Sequence, residues 1–158
     1  MTEVPQEPAE RVRTVVARVI EALGLDASVE VTESAEEIRA TVAGPDEMGR
    51  LIGRHGQTID ALQHLAWRAA FHDRDERKAV VVDAAGYRGR REEALQRQAD
   101  RAASEALRYG RPVELEPMSA SERKTVHNYL AGRTDVETHS EGDEPERRLV
   151  VSPLRARS

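Results

Sequence analysis

Two groups of residues have the types and spacing to do chemistry, and the first is the link Gly53-Arg54-His55-Gly56. Its glycines let the backbone turn sharply without a Cβ penalty and approach a ligand closely. A helical pattern opens at Gln57, so unpaired amides and the positive end of a helix dipole face the same point. Arg50, Arg54 and His55 add charge or donors, and together these features make a cradle for phosphate. Ile52, with Leu51 and Ile59 beside it, supplies apolar surface on which bases can lie. A plain helix–turn–helix joint would use the same glycines for the turn alone, and a GxxG pattern by itself does not decide between the two. The second group is Arg123 and His127, four residues apart on one helix face. An exposed arginine and histidine there suit phosphate contact, although an ordinary surface pair has the same spacing.

Other chemistries find less support. Ser119, Ser121, His127 and Asp135 are the residue types of a nucleophile–base relay, but no nucleophile elbow frames either serine and no Walker loop is present. Ser119 is better employed as a helix cap. The remaining histidines, His55, His64, His72 and His139, have no tight ligand spacing such as H-E-x-x-H, and there are no cysteines. The expectation is a protein without catalysis, metal or cofactor.

The two groups need elements to hold them. Val12, Val15, Val16, Val19, Ile20 and Leu23 recur at helical spacing, which predicts a helix over 6–23 ended by Gly24. Two alternating stretches follow, one with Val29 and Val31 inward and one with Ile38, Ala40 and Val42, around a turn near Ser34-Ala35. A short helix is expected over Asp46–Ile52. A longer one is expected from Gln57 to Phe71, with Ile59, Leu62, Leu65, Ala66 and Ala69 as its inner stripe. Lys78–Asp83 holds a β-branched run and reads as a buried strand. This order closes a compact domain by residue 84. Gly86 and Gly89 mark a joint, and Arg90–Tyr109 has a helix-favouring composition. Val113–Leu115 suggests a short strand. Ser119 and Glu122 have the spacing of a capping box, starting a helix that runs to Leu130. Thr134–His139 and Arg147–Val151 read as a hairpin. The fold class is therefore α+β, with one domain at 6–84, a smaller α/β domain at 85–152, and a tail at 153–158 expected to fray.

Charge bears on the ligand. The 158-residue chain has a net charge of −5, but residues 48–112 carry 13 basic against 9 acidic side chains. Residues 1–47 carry 4 against 11, and residues 113–158 carry 7 against 9. The local field decides whether phosphate is attracted within a Debye length of about 8 Å. Aromatic residues make up 3% of the chain, too few for a base-stacking platform, so base contacts fall to aliphatic surface and hydrogen bonds. The acidic, proline-broken opening is unlike a signal peptide, and no apolar run approaches the roughly 20 residues that span a bilayer. A cytoplasmic protein without membrane insertion is expected.

The stretch from Gly49 to Gln63, Gly-Arg-Leu-Ile-Gly-Arg-His-Gly-Gln-Thr-Ile-Asp-Ala-Leu-Gln, resembles the KH segment of the bacterial Jag (SpoIIIJ-associated) family. The similarity continues through Val82-Asp83 and Gly86-Tyr87-Arg88. Arg123-x-x-x-His127, after a long helix and a short strand, resembles the R-three-H domain, named for an arginine and a histidine separated by three residues. Arg111 to Met118, Ser140-Glu141-Gly142 and Arg147-Arg148 resemble the same second domain. The resemblance covers roughly residues 10–152. It implies a prokaryotic-type KH domain (α-β-β-α-α-β), whose GxxG loop clamps the backbone of about four nucleotides. Gly53, Arg54, His55 and Gly56 take that role here. It further implies a post-transcriptional regulator that binds single-stranded RNA, with single-stranded DNA as a second ligand and a small stand-alone KH protein as a partner. The alternative is a protein-interaction module that pairs with another KH protein through the acidic first helix and binds nucleic acid only secondarily. There are two departures from the family. Members commonly carry a second arginine or lysine where this chain has His55, which lowers the loop's charge near neutral pH. Many also carry an extra N-terminal domain and linker, so functions tied to that segment are not expected of this sequence. Arg88, Arg90 and Arg91 either extend a phosphate track or form a solvated helix face.

Overall fold

The computed structural model describes residues 5 and 7–154. The elements are α1 (Pro8–Ala22), β1 (Ser28–Glu33), β2 (Glu37–Ala43), α2 (Gly49–Ile52), α3 (Gln57–Phe71), β3 (Ala79–Ala84), α4 (Tyr87–Tyr109), β4 (Val113–Glu114), α5 (Ala120–Leu130), β5 (Val136–Glu141) and β6 (Arg148–Pro153). A single 3-10 turn, Arg54–Gly56, links α2 to α3. The chain divides into two compact units, the first ending at Arg88 and the second starting at Gly89. The division falls after Arg88 because Tyr87 still packs on the first core, and Arg88 still bonds to Val82 and Asp60.

In the first unit, Pro8 opens α1 at a position where a missing amide costs nothing. Val12, Val16 and Ile20 then fall on one buried face. β1 runs antiparallel to β2, and β2 runs parallel to β3, giving the order β1-β2-β3. The parallel step needs a crossover, which α2, the 3-10 turn and α3 provide. Ile38, Ala40 and Val42 of the central strand are fully buried, whereas Thr41 on the other face is exposed. One face of the sheet therefore meets the helices and the other meets solvent. β3 follows the same alternation: Val80 and Val82 are buried and Val81 only partly so, and the strand lies at a sheet edge. Ile59, Leu62, Ala66 and Ala70 carry the inner face of α3, while Leu65, expected inside, lies on its flank and is 58% exposed. The first short helix is also shorter than expected, a single turn that starts at Gly49.

The second unit packs α4 and α5 with the antiparallel sheet β4-β6-β5. α4 enters its core through Leu95 and the small side chains Ala99, Ala102, Ala103 and Ala106, which allow close approach. α5 adds Val126 and Leu130, and the central strand adds Leu149 and Val151. Gly89, read as part of a joint, lies inside α4. Ser119 caps α5 by accepting the Glu122 amide at 3.3 Å. Glu122 does not complete the box, because its carboxylate takes the Arg91 guanidinium at 2.7 and 3.3 Å instead. β6 runs to Pro153, and the Leu154 amide donates to the Asp135 carbonyl. The rest of the expected tail, 155–158, lies outside the described residues, as does residue 6 of the expected first helix.

Candidate nucleic-acid interface

The glycine link is built by backbone geometry that its sequence alone permits. Gly53 has φ 75° and ψ 175°, a region open essentially to glycine only. A Cβ there would also fall 2.8 Å from Thr58 Cβ and 2.9 Å from its amide nitrogen. Gly56 (φ 77°, ψ 13°) is left-handed, and a Cβ on it would meet the Tyr87 ring, 2.5 Å from the hydroxyl. Tyr87 thus sits against the base of the loop. Between the glycines His55 also adopts the left-handed region, φ 54° and ψ 26°, at a cost on the order of 1 kcal/mol. The Gly53 amide donates to the Gly49 carbonyl at 2.8 Å and the Gly56 amide to the Gly53 carbonyl at 3.2 Å, so the turn is internally bonded.

What the turn presents is positive. Arg50, Arg54, His55 and Gln57 are exposed, Ile52 and Gly53 are half-buried, and Gly56 is buried. Among the described residues no carboxylate pairs with Arg50 or Arg54. Asp60, in the first turn of α3, is the acidic side chain nearest the loop in sequence, and Arg88 binds it at 2.8 Å. Its charge is offset locally, which leaves the cations of the loop to set the field. Arg88 also donates from Nε to the Val82 carbonyl at 2.9 Å, while Gln63 accepts the Val82 amide at 3.0 Å. Both outward backbone groups of Val82, on the edge strand β3, are thereby paired with side chains.

The second group is arranged differently from what its spacing suggests. Arg123 is buried, 8% exposed, rather than displayed to solvent. Its guanidinium donates to the Met118 carbonyl and to Glu144 Oε1, both at 2.6 Å. It therefore ties the segment before α5 to the β5–β6 loop. His127 is exposed, and its Nδ1 shares a hydrogen bond with the Thr138 hydroxyl on β5. A cavity of about 460 Å³ opens between α5 and the β5–β6 hairpin, with Arg123, Lys124, His127, Thr138, His139 and Arg147 among its lining. Lys124, His139 and Arg147 are basic residues that the spacing argument passed over. Lys124 was legible, next to Arg123, whereas the other two reach the groove only through the hairpin register, His139 opposite Val150.

Arg88 and Arg91 are committed to Asp60 and Glu122 and do not offer an open phosphate track. Ser119 serves as the cap of α5, and Asp135 pairs with Arg133 at 2.8 Å, so neither is held with His127 as a relay. Among the described residues no group of three or more His, Asp or Glu is placed to hold a metal, and no helix is long and apolar enough to cross a membrane.

Comparison with known proteins matches residues 9–82 to the KH domain of the KhpA/KhpB type and residues 93–153 to the R-three-H domain. The chain is 38% identical over 130 residues to the RNA-binding protein KhpB of Clostridium symbiosum, covering 82% of this chain and 58% of that protein. It is 34% identical over 151 residues to the RNA-binding protein KhpB of Bacillus subtilis, covering 94% of this chain and 72% of the relative. For the RNA-binding protein KhpB of Lactiplantibacillus plantarum the figures are 38% over 134 residues, 85% and 41%. The chain thus spans less than two thirds of the first and third of these relatives.

Proposed function

The chain belongs to the KhpB (Jag) family, with a KH and an R-three-H domain, and from that premise we propose that it binds single-stranded RNA and acts as a post-transcriptional regulator. The observation that carries the reading is the loop between α2 and α3. Two glycines hold a turn that other residues would break, Arg50 and Arg54 stand without ion partners among the described residues, and the nearby Asp60 is occupied by Arg88. Gly53, Arg54, His55 and Gly56 clamp the backbone, Arg50 and Gln57 add donors, and Ile52 supports a base. The groove beside α5 gives a second grip through His127, with Arg123 beneath it. The protein acts as a binder rather than a catalyst, and in the cytoplasm, where its ligand is found. A small stand-alone KH protein is a fitting partner, since one family description covers both KhpA and KhpB domains.

Binding to single-stranded RNA, single-stranded DNA and duplex, measured across salt, tests this reading. Affinity for single-stranded RNA should fall with salt as counterions are released, and Arg54→Asp/His55→Asp should lose most of it. A loop variant that binds as well as the parent rules out the clamp.

A further inference from the structure

α4 presents to solvent a row of arginines that neither the loop nor the groove uses. At 100° per residue, Arg97, Arg101 and Arg108 fall within an arc of about 40°. They lie on the side opposite Leu95, Ala99, Ala102 and Ala106, which enter the core. All three are exposed, and among the described residues none of them makes an ion pair or a side-chain hydrogen bond. Of the neighbouring carboxylates, Asp100 is engaged by the Tyr129 hydroxyl 3.0 Å from each oxygen, whereas Glu93 and Glu105 flank the row and Glu105, Glu114 and Glu116 line a cleft with Arg101. The row ends at Tyr109, 57% exposed, whose ring centre is 5.4 Å from the Arg108 guanidinium carbon and 5.5 Å from that of Arg111.

Arg97 and Arg101 are a like-charged pair four residues apart, offset in sequence by Glu93 four before the first and Glu105 four after the second, and none of the three arginines fills the core. An anion laid along the row would meet the three guanidiniums together and relieve the repulsion between Arg97 and Arg101. Arginine offers forked donors that match phosphate, and the row extends about 16 Å from Arg97 to Arg108. A protein partner would need an apolar centre to its interface, but the residue between Arg101 and Arg108 on this side is Ser104. The ring of Tyr109, flanked by two guanidiniums, is suited to stacking on a base.

We propose that this face of α4 is a third RNA contact: Arg97, Arg101 and Arg108 carry the sugar–phosphate backbone of a single strand without regard to sequence, and Tyr109 with Arg111 stacks a base at its end. The inference rests on the RNA-binding reading above. It is tested by anisotropy titrations of the full chain with a labelled tetranucleotide and with a single strand of about 20 nucleotides, each across salt. Arg97→Gln/Arg101→Gln/Arg108→Gln should weaken binding of the long strand at low salt at least ten-fold. Its salt slope should become shallower by about 2, at roughly 0.7 per lost phosphate contact. Binding of the tetranucleotide should be unchanged. Tyr109→Ala should weaken the long strand about five-fold with little change in slope. The altered side chains are exposed, so circular dichroism should show an intact fold. If the triple variant keeps the parent's affinity and slope while Arg54→Asp/His55→Asp loses binding, the row is not an RNA contact and the loop reading stands. If the parent binds neither RNA, both readings fall.

Discussion

The arginine and histidine four apart on α5 share a face, yet they do different work. Arg123 is buried and bonded to the Met118 carbonyl and Glu144, whereas His127 stands in solvent beside Thr138. Removing Arg123 orphans a carbonyl and frees two loop segments. Arg123→Ala should therefore destabilise the second unit by about 1–3 kcal/mol, while His127→Ala should stay within about 0.5 kcal/mol of the parent. RNA affinity should fall in both, in the first through a loosened groove and in the second through a lost donor. Thermal melts paired with titrations separate the two, and equal stability for the two variants would contradict the structure. At the glycine loop the residue types carry the geometry directly: Gly53 and Gly56 occupy conformations in which a side chain would collide with Thr58 or Tyr87.

Local contacts decide how far an element can be foreseen. α3 begins at Gln57 and ends at Phe71 as its periodicity and preceding glycine indicate. The start of α5 is equally local, since Ser119 accepts the Glu122 amide. Ser119→Ala should cost about 1 kcal/mol, read as a lower melting temperature, and Ser119→Asp should restore it. A melt unmoved by Ser119→Ala would mean that the cap contributes nothing. The other half of the expected box was not legible, because Glu122 turns to Arg91, 31 residues away in the chain. Arg123 is a similar case: its burial depends on Glu144, 21 residues on and brought near by the β5–β6 hairpin. Leu65 failed for a different reason, as hydrophobic character placed it on the inner stripe while helical angle left it on the flank. Elements and glycine geometry were thus readable from neighbours in sequence, whereas the partners of each arginine were set by pairing between distant segments. This is also why Arg88, Arg90 and Arg91 read in the sequence equally as a phosphate track or a solvated helix face, while Arg88 and Arg91 prove to be committed to Asp60 and Glu122.

Across the whole molecule, a negative chain concentrates its positive charge in residues 48–112, and several of those cations are held in place by carboxylates. The first unit has such a clamp at its back. Arg11 of α1, 6% exposed, binds both oxygens of Asp73 at 2.7 and 3.1 Å and donates to the Pro5 carbonyl. The Arg11 hydrogen bonds hold the Asp73 carboxyl at about 2, below its usual 3.8. The folded value lies below the unfolded one, so the pair contributes stability that is fully present above about pH 4 and is lost as pH falls through about 2. Trp67, the one tryptophan of the chain, lies on α3 against the same core, so its fluorescence follows unfolding of this unit. Urea midpoints read from Trp67 should fall in the parent as pH is lowered from 4 to 2. In Asp73→Asn the midpoint should already be lower at pH 6 and should change less over that acid range. The clamp lies on the α1 side of the unit, bonded to α1 and to the end of α3 rather than to the glycine loop, so RNA affinity at neutral pH should survive the substitution as long as the unit stays folded. An Asp73→Asn variant with the parent's full acid dependence would show that other carboxylates govern acid unfolding and that Arg11 is buried without stabilising effect.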